Sequence, residues 1–135
     1  MNKLIATILL IFLMTIFAGC SLYEDFDKDT VIKMTDPIMN STMEGLNENN
    51  YQKFTEHFTD SYKNSFRENS FFEFTNNFYQ NPGKYISREL YDIRPINNGY
   101  IIHYKGIFEQ KDNVAITVTF EIVNGEYKIK KLRFI

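Results

Sequence analysis

The fold is decided by residues 114–123, which read Val-Ala-Ile-Thr-Val-Thr-Phe-Glu-Ile-Val. Large apolar side chains occupy every second position from Val114 to Ile122, and small or polar side chains fill the positions between them. This period of two is typical of a β-strand with one face in a hydrophobic core. Asn124-Gly125 follows and is a strong signal for a tight β-hairpin turn. The sequence therefore predicts a hairpin that continues into a last strand over residues 126–135.

The alternation slips within that last strand. Tyr127 and Ile129 share one phase, whereas Leu132 and Phe134 share the other. One extra residue in a strand reverses the faces of all the residues after it. We therefore predict a β-bulge near Lys130-Lys131.

Two further strands are predicted before the hairpin. The first candidate runs from Tyr85 to Ile96. Asn97-Asn98-Gly99 reads as a turn before a second strand over residues 100–108, and Lys111-Asp112-Asn113 reads as the next turn. Four consecutive strands that are joined by short turns favour an antiparallel sheet.

The first of three predicted helices precedes these strands. Apolar residues recur at steps of three and four as far as Leu46, which is the spacing of an amphipathic helix. Asp27 or Asp29 is suited to cap its start. Proline inside a helix removes one hydrogen bond and clashes with the preceding turn. The helix is therefore expected to kink at Pro37 or to begin near Asp36-Pro37.

Two shorter helices are predicted to follow. Tyr51, Phe54 and Phe58 mark the apolar face of the second helix. The third helix is expected to begin at Ser70, where Ser70-Phe71-Phe72-Glu73 has the pattern of a capping box. Asn81-Pro82-Gly83 is expected to end it.

Helices grouped before hairpin-linked strands predict an α+β fold. We expect one domain over residues 31–135, with about three helices packed on a curved four-stranded antiparallel sheet. The order of elements, the step from Asn47 to Phe54, the entry Pro82-Gly83-Lys84-Tyr85 and the strand Gly125–Ile129 resemble small secreted domains of the nuclear-transport-factor-2-like, cystatin-like group. The resemblance implies a conical pocket between helices and sheet, where some members hold a carboxylate base. Many members are lipoproteins of unknown function.

The amino-terminal residues predict where the protein resides. Met1-Asn2-Lys3 is a positively charged start, residues 4–18 are an uncharged apolar run, and Ala18-Gly19 leads directly into Cys20. The run is shorter than the roughly twenty apolar residues that cross a bilayer. The arrangement resembles the bacterial lipoprotein signal, in which a peptidase cuts before the cysteine and a diacylglycerol is attached to the thiol.

This second resemblance implies a signal peptide over residues 1–19 and a tether over residues 20–30 that begins with lipidated Cys20. The protein would then be held on the cell membrane by its lipid and would face outside the cytoplasm. The alternative is a buried cysteine in an uncleaved anchor. Cys20 is the only cysteine, so no intrachain disulfide can form.

Composition disfavours several classes of partner. The formal net charge is −2, and the cationic residues are dispersed along the chain. Nucleic-acid binding relies on a basic surface, so no nucleic acid is expected as a partner. His57 and His103 are the only histidines, and no Cys, His or Asp cluster has the spacing of metal ligands. We therefore expect neither a metal nor a cofactor.

The inward phases of the second and third strands contain no acid and no histidine. The cavity between helices and sheet is therefore predicted to have an aromatic lining, with Tyr91, Tyr100, Tyr104, Phe108 and Phe120 as its candidate residues. The remaining polar candidates all lie on the first strand, and they are Arg88, Asp92 and Arg94.

The leading hypothesis is a non-catalytic binding domain that holds a small apolar ligand or a protein partner. The alternative is a small enzyme that uses the same cavity for acid or base chemistry, which requires a group titrating near the working pH. Phe71-Phe72 and Phe78-Tyr79 place aromatic rings on more than one helix face. They indicate an exposed apolar surface that could bind a partner. The last strand carries four cations, which we interpret as a solvated face rather than a contact with anionic headgroups: Lys128, Lys130, Lys131 and Arg133.

Overall fold

The computed structural model describes residues 26–135, where four helices precede four strands. The predicted signal peptide, Cys20 and most of the predicted tether lie outside the described residues. The helices are α1 (Lys28–Asn47), α2 (Tyr51–Thr55), α3 (Asp60–Ser65) and α4 (Glu68–Gln80), and the strands are β1 (Tyr85–Ile96), β2 (Gly99–Phe108), β3 (Val114–Val123) and β4 (Glu126–Phe134).

The strands form one antiparallel sheet in the order β1-β2-β3-β4, as predicted. The predicted inward phase of β3 is also confirmed, since Val114, Ile116, Val118 and Phe120 are all buried. Ile122, at the end of the same phase, is half-buried. The fold is therefore α+β, with the core between the helices and one face of the sheet.

Bulges set which side chains of the two outer strands face the core. Thr119 pairs with Lys131 while Phe120 pairs with Ile129, so Lys130 is the extra residue that the sequence predicted. β1 contains two further register shifts, at Ile86 and at Tyr91. Each of these shifts reverses the faces of the residues that follow it.

Helix α1 begins at Lys28, and a start near Pro37 is wrong. The side chain of Asp27 caps the helix by accepting hydrogen bonds from the Asp29 N–H at 3.0 Å and from the Thr30 hydroxyl at 2.6 Å. Pro37 is exposed inside the helix. Val31 on one side of it and Met39 on the other are fully buried, and this burial offsets the hydrogen bond that proline removes.

The other helices differ from the prediction in number and start. A fourth helix, α3, was not predicted because none of its residues is fully buried, and the sequence there lacks an apolar period. Thr59 caps it by accepting a hydrogen bond from the Tyr62 N–H at 3.3 Å. The capping box at Ser70 is wrong, since α4 begins at Glu68 and Ser70 lies within its first turn. The helix ends at Gln80, as predicted.

The free edge of β4 is partly covered by the segment between α2 and α3. Phe58 forms a parallel bridge with Ile129, in which the Ile129 N–H donates to the His57 carbonyl at 2.7 Å and the Thr59 N–H donates to the Ile129 carbonyl at 2.9 Å. An extended segment therefore already pairs with part of this edge.

Candidate functional site

An apolar opening of about 470 Å³ lies between α3, α4 and the end of β4, and we call it the aromatic pocket. Its volume is in the range of pockets that bind small molecules. Six of its lining residues are aromatic, and the complete lining is Phe54, Tyr62, Phe66, Phe74, Phe78, Asn81, Pro82, Lys111, Val114, Leu132, Arg133, Phe134 and Ile135.

The walls of the aromatic pocket are rings that pack on one another. Phe74 lies 5.0 Å from Phe78 and 6.0 Å from Phe134 between ring centroids, and Phe66 lies 6.2 Å from Phe74. Aromatic pairs at these distances attract one another beyond the burial of their surface. The pocket is therefore a pre-formed apolar surface rather than a gap between loose side chains.

Few polar groups line the aromatic pocket. Tyr62 accepts a hydrogen bond from the Leu132 N–H and donates one to the Leu132 carbonyl, both at 3.1 Å. Burial raises the pKa of this phenol, so it remains protonated. Arg133 pairs with Thr117 on the outward face of the sheet. Its backbone therefore lies at the border of the pocket, and its side chain points to the opposite face of the sheet. The side chains that line the pocket include no carboxylate and no histidine, and Lys111 is the cation at the mouth.

None of the five residues predicted to line a cavity lines the aromatic pocket. Tyr104, Phe108 and Phe120 are buried and fill the core, and the aromatic side chains of the helices occupy the space expected to be empty. Tyr100 is half-buried and stacks on Tyr127 at 6.2 Å between ring centroids. Tyr91 is 68% exposed, because it is the extra residue of a β1 register shift. Placing Tyr91 in an interior cavity was wrong.

Sequence reasoning missed the residues that do form the pocket. Phe78 was predicted, with Tyr79, to belong to an exposed aromatic surface, whereas Phe74 was assigned no binding role and Phe66 lies in no predicted element. The phase slip in β4 was the usable signal, because it turns Leu132 and Phe134 toward the helices.

A second, polar cavity of about 370 Å³ lies between α1 and β1. Arg88 enters it because the shift at Ile86 turns the side chain inward, opposite Gly106, where no side chain competes for the space. Its guanidinium donates to the carboxylate of Asp36 at 2.9 Å and to the side-chain oxygen of Asn40 at 2.9 Å. The Arg88 side chain is only 8% exposed.

The charged groups of this polar cavity form one ion pair, between Arg88 and Asp36. Burial lowers the pKa of Arg88, but Tyr85 and Asp36 outweigh burial and the net shift is upward. Burial raises the pKa of Tyr104, whose ring lies 5.2 Å from the guanidinium. The Nε of Arg88 and the hydroxyl of Tyr104 are buried without hydrogen-bond partners. Arg88 and Tyr104 therefore stay protonated, and the one carboxylate of the cavity, that of Asp36, binds Arg88.

The remaining candidates for acid or base chemistry lie on the outward face of the sheet. Asp92 pairs in register with His103, whose Nδ1 is 3.1 Å from the Thr117 hydroxyl oxygen. Arg94 donates a hydrogen bond to Asp92 at 2.7 Å and lowers the pKa of that carboxyl. Asp92 is therefore a weaker base than an ordinary aspartate, and it lies outside the core where the cavity was expected.

The basic residues of β4 are partly neutralised. Lys128 lies 3.2 Å from the carboxylate of Glu126, and Lys130 lies 3.1 Å from that of Glu121. Exposed ion pairs of this kind add little stability, but they cancel charge. Two of the four cations therefore contribute little to any attraction for an anionic surface.

No group of three His, Cys, Asp or Glu side chains in residues 26–135 is placed to hold a metal ion. Within the same residues, no helix has the length and apolar character needed to cross a membrane. A comparison with protein-family models found no match, and a comparison with curated proteins found no similar sequence.

Proposed function

We propose that this protein is a membrane-anchored, extracytoplasmic lipoprotein whose folded part is a non-catalytic binding domain. The observation that carries the binding proposal is the aromatic pocket, which has an apolar wall and no carboxylate or histidine among its lining side chains. Such a site offers shape and apolar area but no carboxylate or histidine side chain for acid or base catalysis.

The alternative of a small enzyme in the interior has less support. An interior base would have to come from Asp36, which binds the guanidinium of Arg88. Tyr104 in that cavity stays protonated, because burial raises the pKa of its hydroxyl. Asp92 and His103 lie on the outward face, separate from the aromatic pocket.

Phe26, the first residue that the structure describes, and the aromatic pocket lie at opposite ends of the sheet. Phe26 belongs to the proposed tether and packs on Tyr100 near the start of β2, at 5.5 Å between ring centroids. The pocket lies beyond the other end of β2, where Val114 begins the next strand. At about 3.3 Å per residue, ten residues of strand separate the two ends by roughly 30 Å. A ligand would therefore reach the pocket from the side away from the tether.

We further propose that the fold is a cystatin-like, nuclear-transport-factor-2-like roll. Four hairpin-linked strands with helices on one face support this assignment. The place of the pocket, between helices and sheet, agrees with the cone that this group encloses.

Binding of Nile red, a neutral apolar fluorophore, tests the proposed site. Replacing Phe74 with Ala removes a ring from the pocket wall, and we expect the affinity to fall about tenfold, because burying a phenyl ring contributes about 1.5–3 kcal/mol. Phe72→Ala is the matched control, since Phe72 lies on the same helix, is 36% exposed and does not line the pocket. Fluorescence titration measures both affinities.

A second variant separates loss of binding from loss of folding. Lys111→Trp adds bulk at the mouth of the pocket and removes no buried side chain. We expect it to weaken Nile red binding while the melting temperature stays unchanged. Equal affinities for the wild type, Phe74→Ala and Lys111→Trp would show that the dye binds elsewhere and would overturn the proposed site.

A further inference from the structure

At the edge of β4 beside the aromatic pocket, one residue has a backbone N–H and a backbone C=O without hydrogen-bond partners among the described residues. Ala115 and Ile135 exchange two backbone hydrogen bonds at 2.9 Å each, so they form a hydrogen-bonded pair of the antiparallel ladder. Because such pairs alternate with non-hydrogen-bonded pairs, the N–H and C=O of Phe134 and of Leu132 point away from β3. They face the outer edge of the sheet.

Leu132 and Phe134 differ in whether these backbone N–H and C=O groups have hydrogen-bond partners. A single hydroxyl, that of Tyr62, serves both the N–H and the C=O of Leu132. Among the described residues, no hydrogen-bond partner serves the corresponding groups of Phe134. One donor and one acceptor therefore remain free at the border of the pocket.

From this geometry we infer that the partner is an extended peptide segment, which pairs antiparallel with β4 at Phe134 and inserts an apolar side chain into the aromatic pocket. The inference rests on the binding function proposed above. A residue that exchanges both hydrogen bonds with Phe134 has its side chain on the same face of the sheet as Phe134. That face is the one on which the pocket opens.

The same edge already accepts an extended segment further along. His57 and Thr59 pair with Ile129 through two backbone hydrogen bonds. The peptide would continue this covering of the edge beyond the Tyr62 hydroxyl. Addition of a strand to a free sheet edge is a common mode of peptide recognition, in which the backbone supplies affinity and side-chain pockets supply specificity.

A peptide fits this site better than an acyl chain does. An acyl chain would fill the pocket but would cover the free N–H and C=O of Phe134 without satisfying them, which weakens binding. A peptide residue supplies one donor and one acceptor at the required spacing.

The test uses the capped peptide acetyl-Ser-Glu-Phe-Ser-Gly-amide and two N-methylated analogues. Methylation of the phenylalanine nitrogen removes the donor that would pair with Phe134, and we expect the affinity to fall about tenfold. Methylation of the following serine is the matched control, because that nitrogen points to the opposite side of the strand. We expect a change of about twofold or less for the control. The parent peptide should also displace Nile red and slow hydrogen exchange of the Phe134 amide.

The outcomes separate the two proposals. If Nile red binds in the pocket but the peptide does not displace it, peptide recognition is wrong and apolar binding stands. If both analogues bind as well as the parent peptide, pairing at Phe134 is wrong. Tight binding of palmitate to a pocket that ignores the peptide would identify a lipid ligand instead. If neither Nile red nor the peptide binds, both proposals fail.

Discussion

Val118→Asp is expected to unfold the protein. Val118 is fully buried in the middle of β3 and packs in the core between the helices and the sheet. An aspartate at this position has no partner and costs several kcal/mol, a large part of the roughly 5–15 kcal/mol that stabilises a typical domain. Circular dichroism during thermal unfolding measures the effect.

Thr117→Asp is the matched control. Thr117 is the neighbouring residue on the outward face, where its hydroxyl lies beside His103 and the side chain is partly solvated. An aspartate there remains hydrated, so we expect a near-normal melting temperature. Comparable losses of stability in the two variants would contradict the assignment of the core face.

Cys20→Ala is expected to abolish membrane anchoring and signal processing. If Cys20 carries a diacylglycerol, its removal leaves no thiol for the lipid and no substrate for cleavage before residue 20. Two or three acyl chains bind a membrane stably, because each buried methylene contributes about 0.8 kcal/mol, whereas no comparable contribution remains in the variant. Intact-mass analysis of the membrane fraction should show the lipid adduct only in the wild type.

Ser21→Ala controls for a change beside the cleavage site. This variant keeps the thiol and should retain both the lipid and the membrane association. A mature wild-type mass without a diacylglycerol adduct, or cleavage at another residue, would contradict the proposed anchor.

The sheet was predictable because its signals are local. Alternation over residues 114–123, the turn at Asn124-Gly125 and the phase slip near Lys130 each depend on a few neighbouring residues. The structure contains all three features. Helix α3 was not predicted, because its sequence has no apolar period and part of what holds it is a tertiary contact, the hydrogen bond from Tyr62 to Leu132.

The sequence predicted the chemical character of the candidate site but not the residues that form it. Composition and phase indicated an aromatic cavity without acidic or histidine side chains, and the aromatic pocket has that character. None of the five predicted residues lines this pocket, because the position of a cavity depends on how rings from different elements fill the core; Tyr104 lines the polar cavity instead. The bulges at Ile86 and Tyr91 have no clear sequence signal, yet they turn Arg88 inward and Tyr91 outward.

The central claim is that apolar molecules bind in the aromatic pocket. Methyl-resolved NMR spectra during a Nile red titration test it directly, because two apolar surfaces carry different methyl groups. Val114, Leu132 and Ile135 line the pocket, whereas Ile86 and other exposed apolar residues lie on β1. We predict saturable shifts of the pocket methyl groups, with the β1 methyl groups unchanged. Shifts confined to the methyl groups of β1 would contradict the claim.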